Sequence, residues 1–272
     1  MRHLALPIAF ALLLPLTSCD SDEAATPATD QPIGQPLEEP ATEAAELAAP
    51  APPELILHGA LRNVNLHGDY SATVTFEDLA DSDPAPTHGL GALGGLTGEA
   101  TLWDDRVFFA DAGEEPRFSS TPLADVTDRD ATFFFGAAVS EWRTADSITG
   151  PDLAALQSSL EAYREAADLD GALSFRITDP LGTVEWHVTD SDLFPEDEDQ
   201  PSSCGERKEF SHQFETTREP VRIVGIYTTD HTGVVVDHTT SIHAHVITDR
   251  GHSGHIDALT LSDYAVVEIA VR

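Results

Sequence analysis

Between Leu55 and Val271 the chain is cut into short runs in which apolar and polar residues alternate, and this limits the folds open to it more than any other feature. LILHGAL (55–61), YSATVTF (70–76), EATLWDDRVFFA (99–110), ATFFFGAAV (131–139), ALSFRIT (172–178) and GTVEWHVT (182–189) come first. VRIVGIYT (221–228), TGVVVDH (232–238), SIHAHVIT (241–248), HIDALTL (255–261) and YAVVEIAV (264–271) follow. A period of two marks half-buried antiparallel strands, because successive side chains point to opposite faces. One segment has helical spacing instead. PDLAALQSSLEAYREAADL places Leu153, Leu156, Leu160 and Tyr163 on one stripe, with Pro151 and Asp152 suited to its first turn and Gly171 to its end. EDLA (77–80) suits the start of a short second helix, and the acidic FPEDEDQPSSCGERKE (194–209) reads as a loop. The expected fold is α+β, with mixed, mostly antiparallel sheets and few helices. The regular strand–helix alternation of a TIM barrel or Rossmann fold is absent.

The first fifty residues stand outside that pattern. MRHLALPIAFALLLPLTSC has one basic residue, Arg2, and then a mostly apolar run from Leu4 to Leu16, shorter than the ~20 residues a membrane helix needs. Residues 1–18 read as a secretory signal peptide. Leu16-Thr17-Ser18-Cys19 resembles the bacterial lipobox, in which the cysteine is lipidated and becomes the mature N-terminus; an ordinary signal with a chance cysteine is the alternative. Residues 19–53 contain no Lys, Arg or aromatic residue. They bury too little apolar surface to offset their ordering entropy and are expected to form a disordered, acidic tether. The folded domain is then 54–272, held in the cell envelope by its lipid on the periplasmic or outer surface. Cys204 is left as a lone thiol with no disulfide partner.

The chain holds 48 acidic and 14 basic residues, a formal net charge of −34. That balance argues against nucleic acid and against docking on anionic headgroups, so the N-terminal lipid is the expected membrane contact. It also repels small anions at long range. A site for an anionic substrate therefore needs a strong local cation.

HTTSIHAHVITDRGHSGHID (238–257) holds five of the chain's 12 histidines. His243 and His245 lie at i and i+2, on one face of a strand and about 7 Å apart along it. TDRG (248–251) supplies turn chemistry, so a hairpin would bring His255 beside the pair. Three neutral imidazoles form an open tetrahedral zinc site, with the fourth position left for water or substrate. The pair alone is a weak signal that fits two exposed strand histidines better than a metal site, and His255 on the return strand is what favours the metal. His252 takes the place of His255 if the register shifts, and His238 reads as a strand-end residue. His58, His67, His88, His212 and His231 show no partner spacing.

Several stretches together resemble bacterial α-acetolactate decarboxylases. Val224-Gly225-Ile226-Tyr227, His243-Ala244-His245, Asp249-Arg250 and Gly254-His255 follow that family's zinc-binding core, with a slightly shortened turn. Upstream, GLGALGGLTGE (89–99) is similar to its G-x-G-T-F-x-x-L-x-G-E, Thr121-Pro122-Leu123-Ala124 to its T-P-F-A, and Phe175-Arg176-Ile177 to its A-I-R-I. The resemblance implies zinc held by His243, His245 and His255, with Glu99 at the site handling protons or orienting substrate. It implies a small-molecule substrate, acetolactate or a similar branched 2-hydroxy-3-oxo acid. Loss of carbon dioxide leaves an enediolate that a proton converts to acetoin. A homodimer is left open.

Two departures accompany the likeness. Aligning Phe175-Arg176-Ile177 puts His187 where the family carries an arginine, and imidazole lacks the fork that grips a carboxylate. His187 is then a neighbour of the zinc site, a substitute for the arginine, or a plain strand residue. The family's C-terminal glutamate also has no counterpart before Arg272, since Glu268 falls inside the last strand. The alternative to the enzyme is accordingly a catalytically altered or inactive zinc- or ligand-binding surface lipoprotein.

Overall fold

The period-two runs assemble into two antiparallel sheets. The computed structural model describes residues 51–195 and 201–272. The expected signal peptide, Cys19 and nearly all of the tether lie outside these described residues. The first sheet contains β1 (Leu55–His58), β2 (Val74–Thr75), β3 (His88–Leu93), β4 (Gly98–Trp103), β5 (Arg106–Asp111), β6 (Arg117–Pro122) and β7 (Asp130–Ala137). Its order is β1-β7-β3-β4-β5-β6, with β2 paired to β7. The second sheet contains β8 (Glu141–Thr144), β9 (Leu173–Asp179), β10 (Thr183–Val188), β11 (His212–Thr217), β12 (Val221–Tyr227), β13 (Ile242–Thr248), β14 (Ser253–Thr260) and β15 (Val266–Val271). Its order is β11-β10-β14-β13-β12-β9-β15-β8. Helices α1 (Leu61–His67), α2 (Phe76–Asp81), α3 (Leu153–Ala166) and α4 (Cys204–Glu209), with three short 3-10 turns, complete the described elements.

Alternation decides which layer each side chain joins. On β9, β12 and β13, the residues Phe175, Ile177, Val221, Ile223, Ala244 and Val246 enter one core cluster with Leu156 and Leu160 of α3. That helix therefore covers the outer face of the second sheet, and Asp152 caps it by accepting from the Ala155 amide at 2.9 Å. The opposite face of the same strands sends Val224, Ile226 and Ile247 into a cluster with Leu90, Ala92 and Phe135 of the first sheet. Polar side chains on that inner face are thus trapped between the sheets.

β3 is built from HGLGAL, which carries no β-branched residue, and its glycines explain why it still forms. A Cβ on Gly91 would stand 2.2 Å from the Phe133 carbonyl oxygen and 2.9 Å from the Phe134 Cα, both backbone atoms of the neighbouring strand. Gly91→Ala is expected to cost about 2–3 kcal/mol. Urea unfolding should show this as a lower midpoint at unchanged slope.

Several expectations are corrected by the structure. TGVVVDH is a turn rather than a strand, because Gly233 takes φ 74° and the amides of Val234 and Val235 fold back on the His231 carbonyl. LILHGAL stops being extended at His58, and YSATVTF is extended only at Val74–Thr75 before Phe76 opens a helix capped by Thr75. EATLWDDRVFFA is two strands, split where Asp104 and Asp105 both adopt positive φ. The long helix starts after Pro151 and ends at Ala166, with Asp168 at φ 50°, before Gly171 is reached. Part of the expected 194–209 loop is α4, whose Ser203 cap accepts from the Glu206 amide.

Candidate metal centre

His243 and His245 occupy inner-face positions of β13, and the ladder to β14 sets His255 directly opposite His245. The hairpin register therefore brings the three imidazoles together, with one ligand atom from each lying within 4.8 Å of the others. Ring centroids are 5.5 Å apart for His243–His245, 4.9 Å for His243–His255 and 5.6 Å for His245–His255. His252 is not at the cluster. It stacks on Phe118 at 4.0 Å, and His238 is exposed in the preceding loop. His88 packs against Trp142 and Trp103, His212 pairs with Asp190 at 3.0 Å, and His231 pairs with Thr228 at 2.9 Å. Each has a local structural partner.

Neighbouring groups set the tautomers. His243 Nδ1 lies 2.8 Å from the Val235 carbonyl, which can only accept, so Nδ1 carries the proton and Nε2 keeps its lone pair. That carbonyl comes from the turn sequence TGVVVDH. His245 Nδ1 lies 3.0 Å from Thr101 Oγ1 of β4. Its Nε2 is fully buried and has no hydrogen-bond partner. A buried orphan nitrogen is costly in a metal-free protein and is what a ligand nitrogen looks like without its ion. Burial draws His243 down to about 4 and holds His245 and His255 well below the usual imidazole value, with the adjacent ring of His243 adding to the effect on both. All three are therefore neutral at pH 7, the form that binds a metal.

The donor set fits a tetrahedral ion. Metal–nitrogen bonds of about 2.0–2.1 Å require nitrogens about 3.3 Å apart, so atoms within 4.8 Å of one another need to move inward by less than about 1 Å each.

Glu99 projects from β4 into this layer and is buried, with Oε2 3.7 Å from His245 Nε2 and Oε1 accepting the Thr189 amide at 3.3 Å. Burial pushes its carboxyl up to about 7, against the opposing pull of His187. His187 lies on β10 directly opposite His255, with ring centroids 5.0 Å apart. Its Nδ1 donates to both Asp257 oxygens at 3.0 Å. A β-bulge makes that contact: Glu185 pairs with Ala258 and Trp186 with Ile256, leaving Asp257 as the extra residue. Ile256 and Leu259 then both reach the outer core while Asp257 stays on the histidine side. Glu268, by contrast, pairs with Arg176 at 2.7 Å and takes no part in the cluster.

A cavity of about 220 Å³ opens onto His243, His255 and Asp257, with Val235, Val236 and Gly205 also in its lining. Phe133 and Phe135, stacked 5.2 Å apart, form an apolar wall about 6 Å from the His243 ring. A larger groove of about 580 Å³ beside the start of α3 contains no histidine. Sequence reading missed Asp257 and Thr101, the partners of His187 and His245, and also Arg207. Arg207 is buried on α4, and its charge acts on Glu99, His243 and His255. CGERKE has no apolar periodicity, and only the Ser203–Glu206 capping pattern hinted at a helix there.

No protein-family model and no curated protein matches the chain. Solved structures do. One is a Staphylococcus aureus protein of unknown function described as similar to alpha-acetolactate decarboxylase, with 16% identity, TM-score 0.58, and coverage of 80% of this chain and 85% of that one. Another is acetolactate decarboxylase from Bacillus subtilis subspecies spizizenii, with 16% identity, TM-score 0.60, and coverage of 80% and 86%. A third is alpha-acetolactate decarboxylase from Bacillus subtilis strain 168, with 15% identity, TM-score 0.60, and coverage of 80% and 85%. The chain has an acetolactate decarboxylase-like fold of mostly antiparallel sheets, with a histidine cluster that could hold a metal between them.

Proposed function

We propose that the protein is a zinc-dependent decarboxylase of acetolactate, or of a similar branched 2-hydroxy-3-oxo acid, yielding acetoin and carbon dioxide. We place it in the cell envelope, anchored through Cys19. The observation that carries this reading is the convergence of His243, His245 and His255 to within 4.8 Å in a fold shared with acetolactate decarboxylases. Zinc held there would supply a Lewis acid that polarises substrate oxygens and stabilises the negative charge left as carbon dioxide departs.

The chain's own groups do the rest. Val235 and Thr101 fix the His243 and His245 rings so that their Nε2 atoms face the centre. Phe133 and Phe135 keep water from one side. Replacing a carboxylate by hydrogen consumes one proton per turnover, and that proton must reach a buried carbon. Glu99 Oε1 is occupied by the Thr189 amide, so Oε2 is the oxygen that holds the proton and passes it on. Asp257 orients His187, leaving its Nε2 as a second polar atom for substrate or water.

The test is an acetoin colour assay with racemic acetolactate and the zinc-loaded protein. Acetoin should form well above the level given by zinc alone. No activity at full loading would remove the enzyme and leave the metal- or ligand-binding lipoprotein.

A further inference from the structure

The β13–β14 hairpin is paired along only part of its length. β13 begins at Ile242 and β14 runs to Thr260, yet the two strands pair only at Ile247↔Ser253, Val246↔Gly254 and His245↔His255. From Ile256 onward β14 pairs with β10 alone. The hairpin therefore forks at the proposed ligands. At the tip of one prong the Ile242 amide donates to Thr240 Oγ1 at 3.1 Å, a side chain standing where a strand partner would. The other prong carries the bulge at Asp257, a distortion that strands commonly show beside active sites. The cavity of about 220 Å³ lies in this fork, with Ile242 and His243 on one prong and His255, Ile256 and Asp257 on the other.

Two of the three proposed ligands thus line the cavity, which is continuous with the centre. Its walls are otherwise mainly apolar, formed by Leu61 of α1, Leu153 of α3, Val235, Val236, Ile242 and Ile256. Leu153, Ile242 and Ile256 belong to the core on the outer face of the second sheet, and Leu61, Val235 and Val236 to the core between the sheets. The opening therefore passes from one core to the other through the gap in the ladder. A polar end and apolar walls suit a small molecule with one charged head and one apolar arm. Apart from the histidines, the ionisable lining residues are Asp237 and Asp257, both acids, in a chain of net charge −34. A second carboxylate is disfavoured in the fork, whereas an alkyl group gains by leaving water.

Resting on the decarboxylase reading of the centre, we propose that the fork of the β13–β14 hairpin is a subsite for an apolar arm of the substrate. The preferred substrates are then 2-hydroxy-3-oxo acids in which a propyl or longer alkyl group replaces one methyl of acetolactate. At about 30 Å³ for each water-sized group, the cavity has room for about seven such groups, more than a methyl fills. Val235 serves both parts of the site, since its carbonyl holds His243 while the residue itself lines the fork.

The experiment uses the full chain with zinc content measured. Calorimetric titration compares 2-hydroxyisobutyrate with racemic 2-hydroxy-2-methyl acids from butanoate to heptanoate, a series in which one alkyl arm grows. Affinity should rise about fourfold with each added methylene until the cavity is full. Flat or falling affinity along the series in the wild type overturns the proposal, and that result needs no variant to fold. Gly205→Phe adds a ring at a lining position that is exposed on α4, where a Cβ would meet nothing nearer than Ser203 Oγ at 4.0 Å. Leu153→Asn puts a polar group into the lining at the half-buried start of α3. Both variants should flatten the series with zinc content at the wild-type level. A slope that survives both changes places the alkyl arm elsewhere and overturns the proposal as well. A chain-length gain in a protein that makes no acetoin keeps the subsite and removes only the decarboxylase. Acetoin formation with a flat series does the reverse.

Discussion

Replacing His243 and His245 together by alanine is expected to take zinc from about one ion per chain to none. Both are almost fully buried, and with His255 they are the three nitrogens that converge. A single remaining imidazole binds an ion orders of magnitude more weakly than a three-nitrogen site. Metal analysis of the folded variant reads this directly, and thermal unfolding reads it a second way. An ion that binds only the folded chain stabilises it by about 2.7 kcal/mol at a hundred times its dissociation constant. For a domain of this size that raises the melting temperature by about 5–10 °C. The wild type should show the rise on adding zinc and the double variant should not. Equal metal content in the two proteins would dismiss the centre.

The second large effect is expected at Glu99. Glu99→Gln keeps the size of the side chain and an oxygen to accept the Thr189 amide, but the amide cannot hold or release the proton assigned to Oε2. Turnover should fall by about 10²- to 10⁴-fold, the usual worth of a positioned acid or base. Zinc binding should change little, because Oε2 stands 3.7 Å from His245 Nε2 and the three nitrogens remain. Parallel loss of zinc and turnover would instead make Glu99 a support for the ligand ring.

What could be read beforehand follows from how each element signals itself. β13 shows its strand and its two faces in IHAHVIT, since β-branched and apolar residues alternate with the histidines. The register to His255 was legible because TDRG marks the turn. β3 was not, because its glycines are there for close approach to Phe133 and Phe134, and glycine carries no strand preference. VVVDH misled in the opposite sense. Its β-branched residues face the cavity and the core, and the backbone around Gly233 turns instead of extending. Arg207 and Asp257 were hidden for a third reason. One depends on a helix with no apolar stripe, the other on a bulge that only the pairing of β10 with β14 reveals.

The origins of the site's groups in the chain have a consequence for how such a protein can change over generations. All three proposed ligands sit on one hairpin, β13–β14, whereas Glu99 and Thr101 come from β4 of the other sheet. A hairpin is inherited as one contiguous piece. In the proposed enzyme, a change in β4 would alter the acid without disturbing the hairpin that carries the ligands, so turnover would be lost before metal binding.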